Sequence, residues 1–400
     1  MEGTVMKRLG IGAGIFVAIL AVIWLMIGSD WRRLILAAPS DANVLFWTQN
    51  QRDAGFRMLD RVSFLIDARD IHASDTLKEL PEGSPLSLDL DLDAYLQDNR
   101  HSAIVVLHDG KIRLESYGLG FKETGRWTSF SVAKSLTSTL VGAAIIDGHI
   151  ESLADPVSKY IPDLAGSAYD DVTVEQLLTM SSGVRWIEDY DDPSSDVALF
   201  NDHVSEDGSS NLVSYMKALP RAHPPGTVWN YSTGETNLIG ILVSEATGET
   251  LSDYLSEKIW GPYGMEQDAT WLLNDDGTEI SGCCIQATTR DFARFGQFML
   301  EGAAVDGQSL VPGGWLDRAT TKQIGIGVPG QGYGFQWWTY DDGAYAADGI
   351  FGQGIFIDPT RNLVIATNSS WSSAMGDVDR SHAKREEFFQ AVQAAVDAEG

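Results

Sequence analysis

Ser131 and Lys134 are the residues of this sequence whose types and spacing point most directly to chemistry. They lie three positions apart in WTSFSVAKSLTSTLVGAAIIDG, a stretch that becomes apolar after its first residues. On a helix, residues at i and i+3 share one face, so these two side chains can meet. A serine hydroxyl becomes a nucleophile when a neighbouring base accepts its proton. Burial of Lys134 in the apolar run would lower the pKa of its amine, which predicts a pair of nucleophile and base.

The Ser-x-x-Lys spacing occurs three times, and the surroundings distinguish the three copies. Ser214 and Lys217 lie in a surface-type amphipathic pattern, and Ser381 and Lys384 lie in a charged tail. Both of these pairs are interpreted as solvated. Ser131 alone follows a hairpin pattern, precedes an apolar helix and is followed later by WNYSTGETN.

Strand patterns on both sides of this helix must position it. SAIVVLHDGKIRLESYG predicts a hairpin with an Asp-Gly turn, and YGFQWWTY, GQGIFIDP and NLVIATNSS predict later strands. Between them, helical patterns such as TVEQLLTM and TNLIGILVSEATG predict a helical lobe over about residues 171–271. The expected fold class is α+β, with one antiparallel sheet assembled from both ends of the chain and the helical lobe inserted.

The first thirty residues predict a membrane segment. Lys7 and Arg8 precede an uncharged run from Leu9 to Gly28, which as a helix would span roughly 30 Å. A cleaved signal peptide is the alternative, but its apolar core is usually only about 7–15 residues long. We expect residues 1–30 to anchor the chain, residues 31–92 to connect, and residues 93–400 to form a periplasmic or extracellular domain, which would be secreted if the segment were cleaved.

Charge excludes one class of partner. The formal net charge is −28 and the pI is near 4.4, whereas nucleic-acid binding depends on clustered Lys and Arg. The acidic surface is interpreted as solubilising. The expected partners are therefore a small-molecule substrate and a membrane, and the pattern leaves the oligomeric state open.

The cysteines and histidines do not predict a metal site. Cys283 and Cys284 are the only cysteines, and no CxxC or HExxH spacing occurs. We expect neither a metal nor another cofactor. The adjacent cysteines form either a vicinal disulfide or two small buried side chains, and the second interpretation is favoured.

From about residue 93 onward, the chain resembles the serine β-lactamase and penicillin-binding-protein superfamily, especially class C-like hydrolases, family VIII esterases and aminohexanoate-dimer hydrolases. SFSVAKS resembles the first motif of that family, which implies that Ser131 is the acylated nucleophile and Lys134 its base partner. NYSTGE resembles the second motif and implies that Tyr231 joins the proton relay. The usual final Asn of that motif is replaced here by Thr233.

The third family motif, a Lys/His-Thr/Ser-Gly triplet, is matched least well. Its place is taken by Asp348-Gly349-Ile350, which lacks the cation. The resemblance implies that the backbone amides of Ser131 and Ile350 bind the oxyanion, and that Gly349 lies beside the substrate. In β-lactam-recognising relatives the missing cation holds a substrate carboxylate, so Asp348 predicts substrates without one.

Tyr190 and one of two consecutive tryptophans complete the predicted site. In amide-hydrolysing relatives a loop near WIEDYDDPSSD closes over the substrate, which implies a contact from Tyr190. Trp337 and Trp338 are consecutive in a strand pattern, so alternation sends one to the core and leaves the other to line the pocket.

The sequence thus predicts a serine hydrolase that cleaves an ester or amide through an acyl-enzyme on Ser131. A β-lactamase or DD-peptidase acting on cell-wall peptides is the second hypothesis. A non-catalytic, penicillin-binding-like sensor domain is the third. The intact trio of Ser131, Lys134 and Tyr231 argues against the third.

Overall fold

The computed structural model describes residues 2–39, 43–62, 66–206 and 208–399, and its centre is a seven-stranded antiparallel sheet. The strand order is β3-β2-β13-β12-β11-β10-β9, which brings strands from both ends of the domain together. The α+β architecture predicted from the sequence is confirmed. The strands are β2 (His101–His108), β3 (Lys111–Tyr117), β9 (Gln331–Tyr333), β10 (Trp338–Tyr340), β11 (Tyr345–Gly349), β12 (Gln353–Asp358) and β13 (Leu363–Ser369).

The predicted hairpin joins β2 to β3. Asp109 and Gly110 have φ values of 51° and 69°, the left-handed backbone that a two-residue hairpin turn requires. Along β2, Val105 and Leu107 face the main core, whereas Ile104 and Val106 face a second core under the last helix. The sheet is therefore buried on both faces.

A second, four-stranded sheet lies beside the helices and has the order β1-β5-β6-β4. It consists of β1 (Ala68–Ile71), β4 (Trp127–Thr128), β5 (Ala269–Leu272) and β6 (Ile285–Ala287). A small hairpin is formed by β7 (Ala304–Val305) and β8 (Gln308–Ser309). Strand β4 leads directly into the Ser131 turn, so this sheet fixes where that turn begins.

The helices cover both faces of the large sheet, and the longest buried ones carry or support the site. Helix α5 is buried from Ala133 to Ala144 and packs against α9, as expected for a helix without a polar face. The α-helices before residue 171 are α1 (Glu2–Met26), α2 (Ser29–Leu36), α3 (Gln49–Gly55), α4 (Leu92–Asp98) and α5 (Ala133–Ile146). Those from 171 to 271 are α6 (Val174–Leu178), α7 (Asp196–Leu199), α8 (Asn211–Lys217), α9 (Thr233–Thr247), α10 (Leu251–Leu255) and α11 (Gly261–Tyr263), and those after it are α12 (Thr289–Leu300), α13 (Trp315–Ala319) and α14 (Ser381–Asp397).

Residues 31–92 do not form the connector that the sequence predicted. Phe56 is fully buried, and its ring lies 4.9 Å from that of Phe130 and 6.1 Å from that of Trp127. Strand β1 pairs with β5, and Leu34 packs in a small cluster of buried residues. Arg57 and Arg69 form ion pairs with Asp30 and Glu279. The folded domain therefore begins well before residue 93.

The N-terminal helices differ from the single membrane span that the sequence predicted. Within the described residues, no one helix is long and apolar enough to cross a membrane. Ile11–Met26 and Ser29–Leu36 pass that test only as a pair, and the pair is bent by 115°.

Cys283 and Cys284 form a vicinal disulfide. The favoured expectation of two separate buried thiols is therefore wrong. The bonded pair follows Gly282 in the segment that leads into β6, and Cys284 has a positive φ of 78°. This turn lies directly behind the predicted site.

Candidate active site

Ser131 lies in the short turn between β4 and α5, at the start of the buried helix. Its side chain is largely buried, and the preceding residue, Phe130, has a φ of 41°. Ser129 ties the turn to β6, since its amide donates to the Ile285 carbonyl at 2.8 Å and its hydroxyl accepts from the Ile285 amide at 2.9 Å. The β6 strand thus holds the turn, and Ser131 lies where the turn meets the cavity.

Lys134 follows one helical turn later and is 1% exposed. Its Nζ donates to Thr233 Oγ1 at 3.0 Å and to the Gly282 carbonyl at 2.6 Å. Burial lowers the pKa of this amine to about 8, although the charge of Glu188 opposes the shift. The predicted burial of Lys134 is confirmed, and the replacement of Asn by Thr233 preserves an acceptor for the amine.

Tyr231 approaches Ser131 from the loop before α9. The two side chains line the same cavity, and Lys134 Nζ lies 5.3 Å from the centre of the Tyr231 ring. Trp338 stacks on that ring at 5.6 Å, with 22° between the planes. Burial, Glu188 and Asp348 raise the pKa of Tyr231 well above its usual range, so the phenol keeps its proton.

Gly349 ends β11 against the nucleophile turn. A Cβ at this position would lie 2.7 Å from the Ser129 carbonyl oxygen and 3.0 Å from the Ser131 amide nitrogen. Gly349 has an ordinary extended backbone (φ −124°, ψ 149°), so proximity rather than conformation excludes a side chain. Ile350 follows directly, which brings its amide to the same end of the strand as the Ser131 amide.

Tyr190 lies in the loop 186–190, on the side of the site formed by the helical lobe. Its hydroxyl donates to Glu188 Oε1 at 2.8 Å, and burial raises the pKa of the phenol well above its usual range. The acidic composition of this loop is typical of a solvated segment. Glu188 instead faces inward and binds Thr233.

Ser131, Tyr231, Gly349 and Tyr190 line one cavity of about 560 Å³, and Lys134 lies behind its wall. One tryptophan of the pair, Trp337, is in the core and the other, Trp338, lines the cavity. Trp337 lies in the turn between β9 and β10 rather than in a strand, so the turn and not strand alternation separates the two. Asp348 also lines it and forms an ion pair with the buried Arg385 of α14, at 3.0 Å. The residues that line the cavity are Ser131, Glu188, Asp189, Tyr190, Asp191, Trp229, Tyr231, Ile326, Val328, Gln331, Trp338, Tyr340, Asp348, Gly349, Ile350, Trp371, Ala374, Met375, His382 and Arg385.

Other candidates from the sequence lie elsewhere. Ser214 and Lys217 are on α8, outside the cavity lining. Ser381 is buried and bonded to Asp379, so its expected solvation is wrong. Within the described ranges, no cluster of three or more His, Cys, Asp or Glu residues has an arrangement that could hold a metal ion.

The sheet, the helical lobe and the Ser-x-x-Lys turn between them define a fold of the serine β-lactamase and penicillin-binding-protein type. The Beta-lactamase family model matches residues 92–387, and the chain belongs to this family. The 6-aminohexanoate-dimer hydrolase of Paenarthrobacter ureafaciens is 30% identical over 324 residues, which cover 77% of this chain and 82% of that protein.

Two solved structures show the same fold. One is a Bacillus anthracis protein provisionally described as a 6-aminohexanoate-dimer hydrolase, with a TM-score of 0.75 and 23% identity over 90% of this chain and 99% of that chain. The other is a D-stereospecific amidohydrolase from Streptomyces, with a TM-score of 0.55 and 21% identity over 72% of this chain and 95% of that chain.

Two residues of the site were missed at the sequence level. Glu188 belongs to an acidic run whose composition is typical of a solvated loop, and its neighbour Trp186 was the available sign of an inward-facing segment. Arg385 lies in the charged final helix, and its burial depends on the packing of that helix against β12. No motif marks either residue.

Proposed function

We propose that this protein is a serine hydrolase that cleaves a linear amide or an ester through an acyl-enzyme on Ser131. The observation that supports this most directly is the convergence of Ser131, the buried Lys134 and the protonated Tyr231 beside the Gly349–Ile350 strand end. These positions supply a nucleophile, an acid and two backbone donors that line one cavity, with a buried base behind its wall.

Lys134 serves as the base for acylation. With a pKa of about 8, roughly a tenth of the enzyme carries the neutral amine at pH 7. The amine accepts the Ser131 proton, with Tyr231 in the relay, while the hydroxyl oxygen attacks the carbonyl carbon. The amides of Ser131 and Ile350 hold the oxyanion, and each such donor lowers the barrier by about 3 kcal/mol in comparable sites.

Tyr231 serves as the acid in this proposal. Its raised pKa keeps the phenol protonated, so it is suited to donate a proton to the leaving amine or alcohol as the tetrahedral intermediate collapses. Water then enters, is deprotonated through the same relay and attacks the acyl carbonyl. Ser131 leaves with a proton and the acid product is released.

The substrate class rests on the relatives and on Asp348. A relative with 30% identity is named a 6-aminohexanoate-dimer hydrolase, which favours a linear amide. Asp348 in the third motif disfavours a substrate carboxylate beside the scissile bond. Its own carboxylate already forms an ion pair with the buried Arg385. A β-lactamase or DD-peptidase activity is accordingly the weaker hypothesis.

The experiment is a comparison of wild type and Ser131→Ala with a nitrophenyl ester, a linear aminohexanoate amide and a fluorescent penicillin. The wild type should hydrolyse the first two, and the variant should retain neither activity. Ser214→Ala, in a second Ser-x-x-Lys pair, is the matched control and should behave as wild type. Turnover by Ser131→Ala would contradict the mechanism, and strong penicillin labelling of Ser131 would contradict the substrate class.

We also propose that the N-terminal segment anchors the enzyme to a membrane, with the catalytic domain periplasmic or extracellular. The support is the exposure of the apolar side chains from Ile11 to Met26, since large exposed apolar surfaces are typical of membrane or partner contacts. Flotation of the full chain with phospholipid vesicles should succeed. A chain that stays in the aqueous fraction would contradict the anchor.

A further inference from the structure

Glu188 accepts four hydrogen bonds in the wall of the site. Oε2 accepts from the Thr233 amide at 2.9 Å and from Trp186 Nε1, and Oε1 accepts from the Tyr190 hydroxyl at 2.8 Å and from Thr233 Oγ1. A carboxylate offers about four acceptor sites, and a protonated carboxyl would place a donor among these donors. Glu188 is therefore an acceptor at every contact.

This arrangement fixes the direction of the Thr233 hydroxyl. The hydroxyl has one proton, and because Glu188 can only accept, that proton is donated to Glu188. Toward Lys134, Thr233 is then an acceptor only, at 3.0 Å from Nζ. The Gly282 carbonyl accepts from the same nitrogen at 2.6 Å. Both N–H bonds of a neutral Lys134 amine are thereby assigned.

We propose that Glu188 is a positioning residue that acts through Thr233 to turn the lone pair of the neutral Lys134 amine toward Ser131 and Tyr231. Without the carboxylate, the Thr233 hydroxyl is free to rotate and donate its proton to the amine, in competition with Ser131. The inference rests on the hydrolase function proposed above. It assigns a role to a residue that does not itself touch the reacting atoms.

The charge of Glu188 has a second, measurable effect. It raises the pKa of Lys134 against the larger effect of burial, and it also raises the pKa of Tyr231 and Tyr190. The other ionisable groups around the amine are Tyr231, whose ring faces Nζ, and Asp348 on β11, whose charge acts on Tyr231. Removal of the Glu188 charge should therefore move the acid limb of the pH–kcat profile to lower pH.

The test uses Glu188→Gln in the full chain with a nitrophenyl ester. On the high-pH plateau, where the amine is neutral in both enzymes, kcat should fall about 100-fold while KM changes little. Glu245→Gln is the matched control, because Glu245 is an exposed residue farther along the same helix as Thr233. An unchanged plateau kcat or an unmoved acid limb in folded Glu188→Gln would overturn the proposal.

A second pair of variants tests the route through Thr233, even if Glu188→Gln does not fold. Thr233→Ser keeps the hydroxyl and should stay within a few-fold of wild type, whereas Thr233→Val removes it and should lose about 100-fold in kcat. Equal activity of the two variants would overturn the proposal. Where Glu188→Gln folds, adding Thr233→Val should cost little more, because both act on one interaction; fully additive losses would likewise contradict the route.

The failure of this inference is distinguishable from the failure of the proposed function. A fluorophosphonate probe is first applied to the wild type, and labelling of Ser131 establishes the nucleophile. No adduct on the folded wild type would overturn the hydrolase assignment itself. An adduct on the wild type combined with a wild-type plateau and acid limb in Glu188→Gln would overturn only the role of Glu188.

Discussion

Asp348 Oδ2 lies 3.0 Å from Nη2 of Arg385, so an acidic residue of β11 and a buried guanidinium of α14 form an ion pair in the cavity wall. In the sequence, Asp348 stands where the third family motif has a cation. In the structure, Arg385 of the distant helix α14 supplies a cation beside Asp348, and the two charges neutralise each other. Charged side chains buried this deeply are normally paired, since an unpaired buried charge is costly.

Asp348→Asn should widen the substrate range toward carboxylates. The substitution removes the carboxylate that lies 3.0 Å from the Arg385 guanidinium and leaves Glu386 at 4.0 Å, so the guanidinium can bind a substrate carboxylate in the cavity wall. We expect kcat/KM for an ester carrying a carboxylate near the scissile bond to rise about tenfold relative to a neutral ester. Steady-state kinetics on a matched pair of nitrophenyl esters measure this ratio.

The control for this prediction is Asp341→Asn, an equal loss of charge at an exposed position of the neighbouring β-turn. It should leave the ratio of the two esters unchanged. If the kcat/KM ratio of the two esters changed similarly in both variants, the effect would come from net charge alone. If the ratio stayed unchanged in Asp348→Asn, Arg385 would not reach the substrate.

Lys134 should give the enzyme an activity that rises with pH. Burial lowers the pKa of its amine to about 8, and the base must be neutral to accept the Ser131 proton, so kcat should rise through about pH 8 and level off above it. Lys134→Arg should reduce kcat by roughly 1000-fold, because a guanidinium stays protonated at these pH values. A pH–rate profile with a nitrophenyl ester, corrected for buffer hydrolysis, tests both statements.

Lys384→Arg, in the third Ser-x-x-Lys pair, is the matched substitution and should leave the profile unchanged. A flat profile between pH 6 and 9.5 would argue against a titrating amine as the base, at any pKa in that interval.

The part of the site that was predictable from sequence is the part encoded locally or by motif. Ser131 begins the buried helical segment and Lys134 lies one turn later, as the i, i+3 spacing predicts. The Asp-Gly hairpin was predictable because its turn needs left-handed backbone.

The remainder depends on packing between distant segments. Glu188 and Arg385 reach the site from an acidic loop and a charged helix, whose local composition is typical of solvent-exposed structure. Residues 31–92 show no regular hydrophobic periodicity in the sequence. Their buried apolar side chains, such as Phe56, are interspersed with charged residues, such as Asp60, that form ion pairs. The disulfide of Cys283 with Cys284 depends on a turn that adjacency alone does not specify.

Gly349→Ala should reduce both activity and stability. The added methyl group would lie 2.7 Å from the Ser129 carbonyl oxygen and 3.0 Å from the Ser131 amide nitrogen, so the strand end and the nucleophile turn must move apart. Such overpacking costs about 1–3 kcal/mol of folding free energy, whereas separation of the two oxyanion donors should lower kcat by about 100-fold or more. Thermal unfolding and ester hydrolysis measure the two effects.

Gly313→Ala is the control, because a Cβ at that loop position meets nothing within 4 Å. It should retain wild-type kcat. If Gly349→Ala folded normally and also kept full activity, the close approach of β11 to Ser131 would have no part in oxyanion binding.

Glu235 should make the folded state less stable as the pH rises. This residue of α9 is 2% exposed, accepts from Ser182 and Tyr169 through Oε1, and has no hydrogen-bond partner for Oε2 among the described residues. Burial raises the pKa of its carboxyl from 4.5 to about 8. Between these two values the folded state retains a proton that the unfolded chain has lost, so its contribution to stability is full below about pH 4.5 and is lost as the pH rises to about 8.

Glu235→Gln removes this titration and keeps a neutral side chain of the same shape. From pH 5 to pH 8.5, the free energy of unfolding of the wild type should fall by roughly 3–5 kcal/mol more than that of the variant. Denaturant unfolding at the two pH values measures the difference, with Glu245→Gln as an exposed control that should follow the wild type. Parallel pH dependences in wild type and Glu235→Gln would show that the buried carboxyl does not hold its proton, because an ionised Glu235 would contribute equally at both pH values.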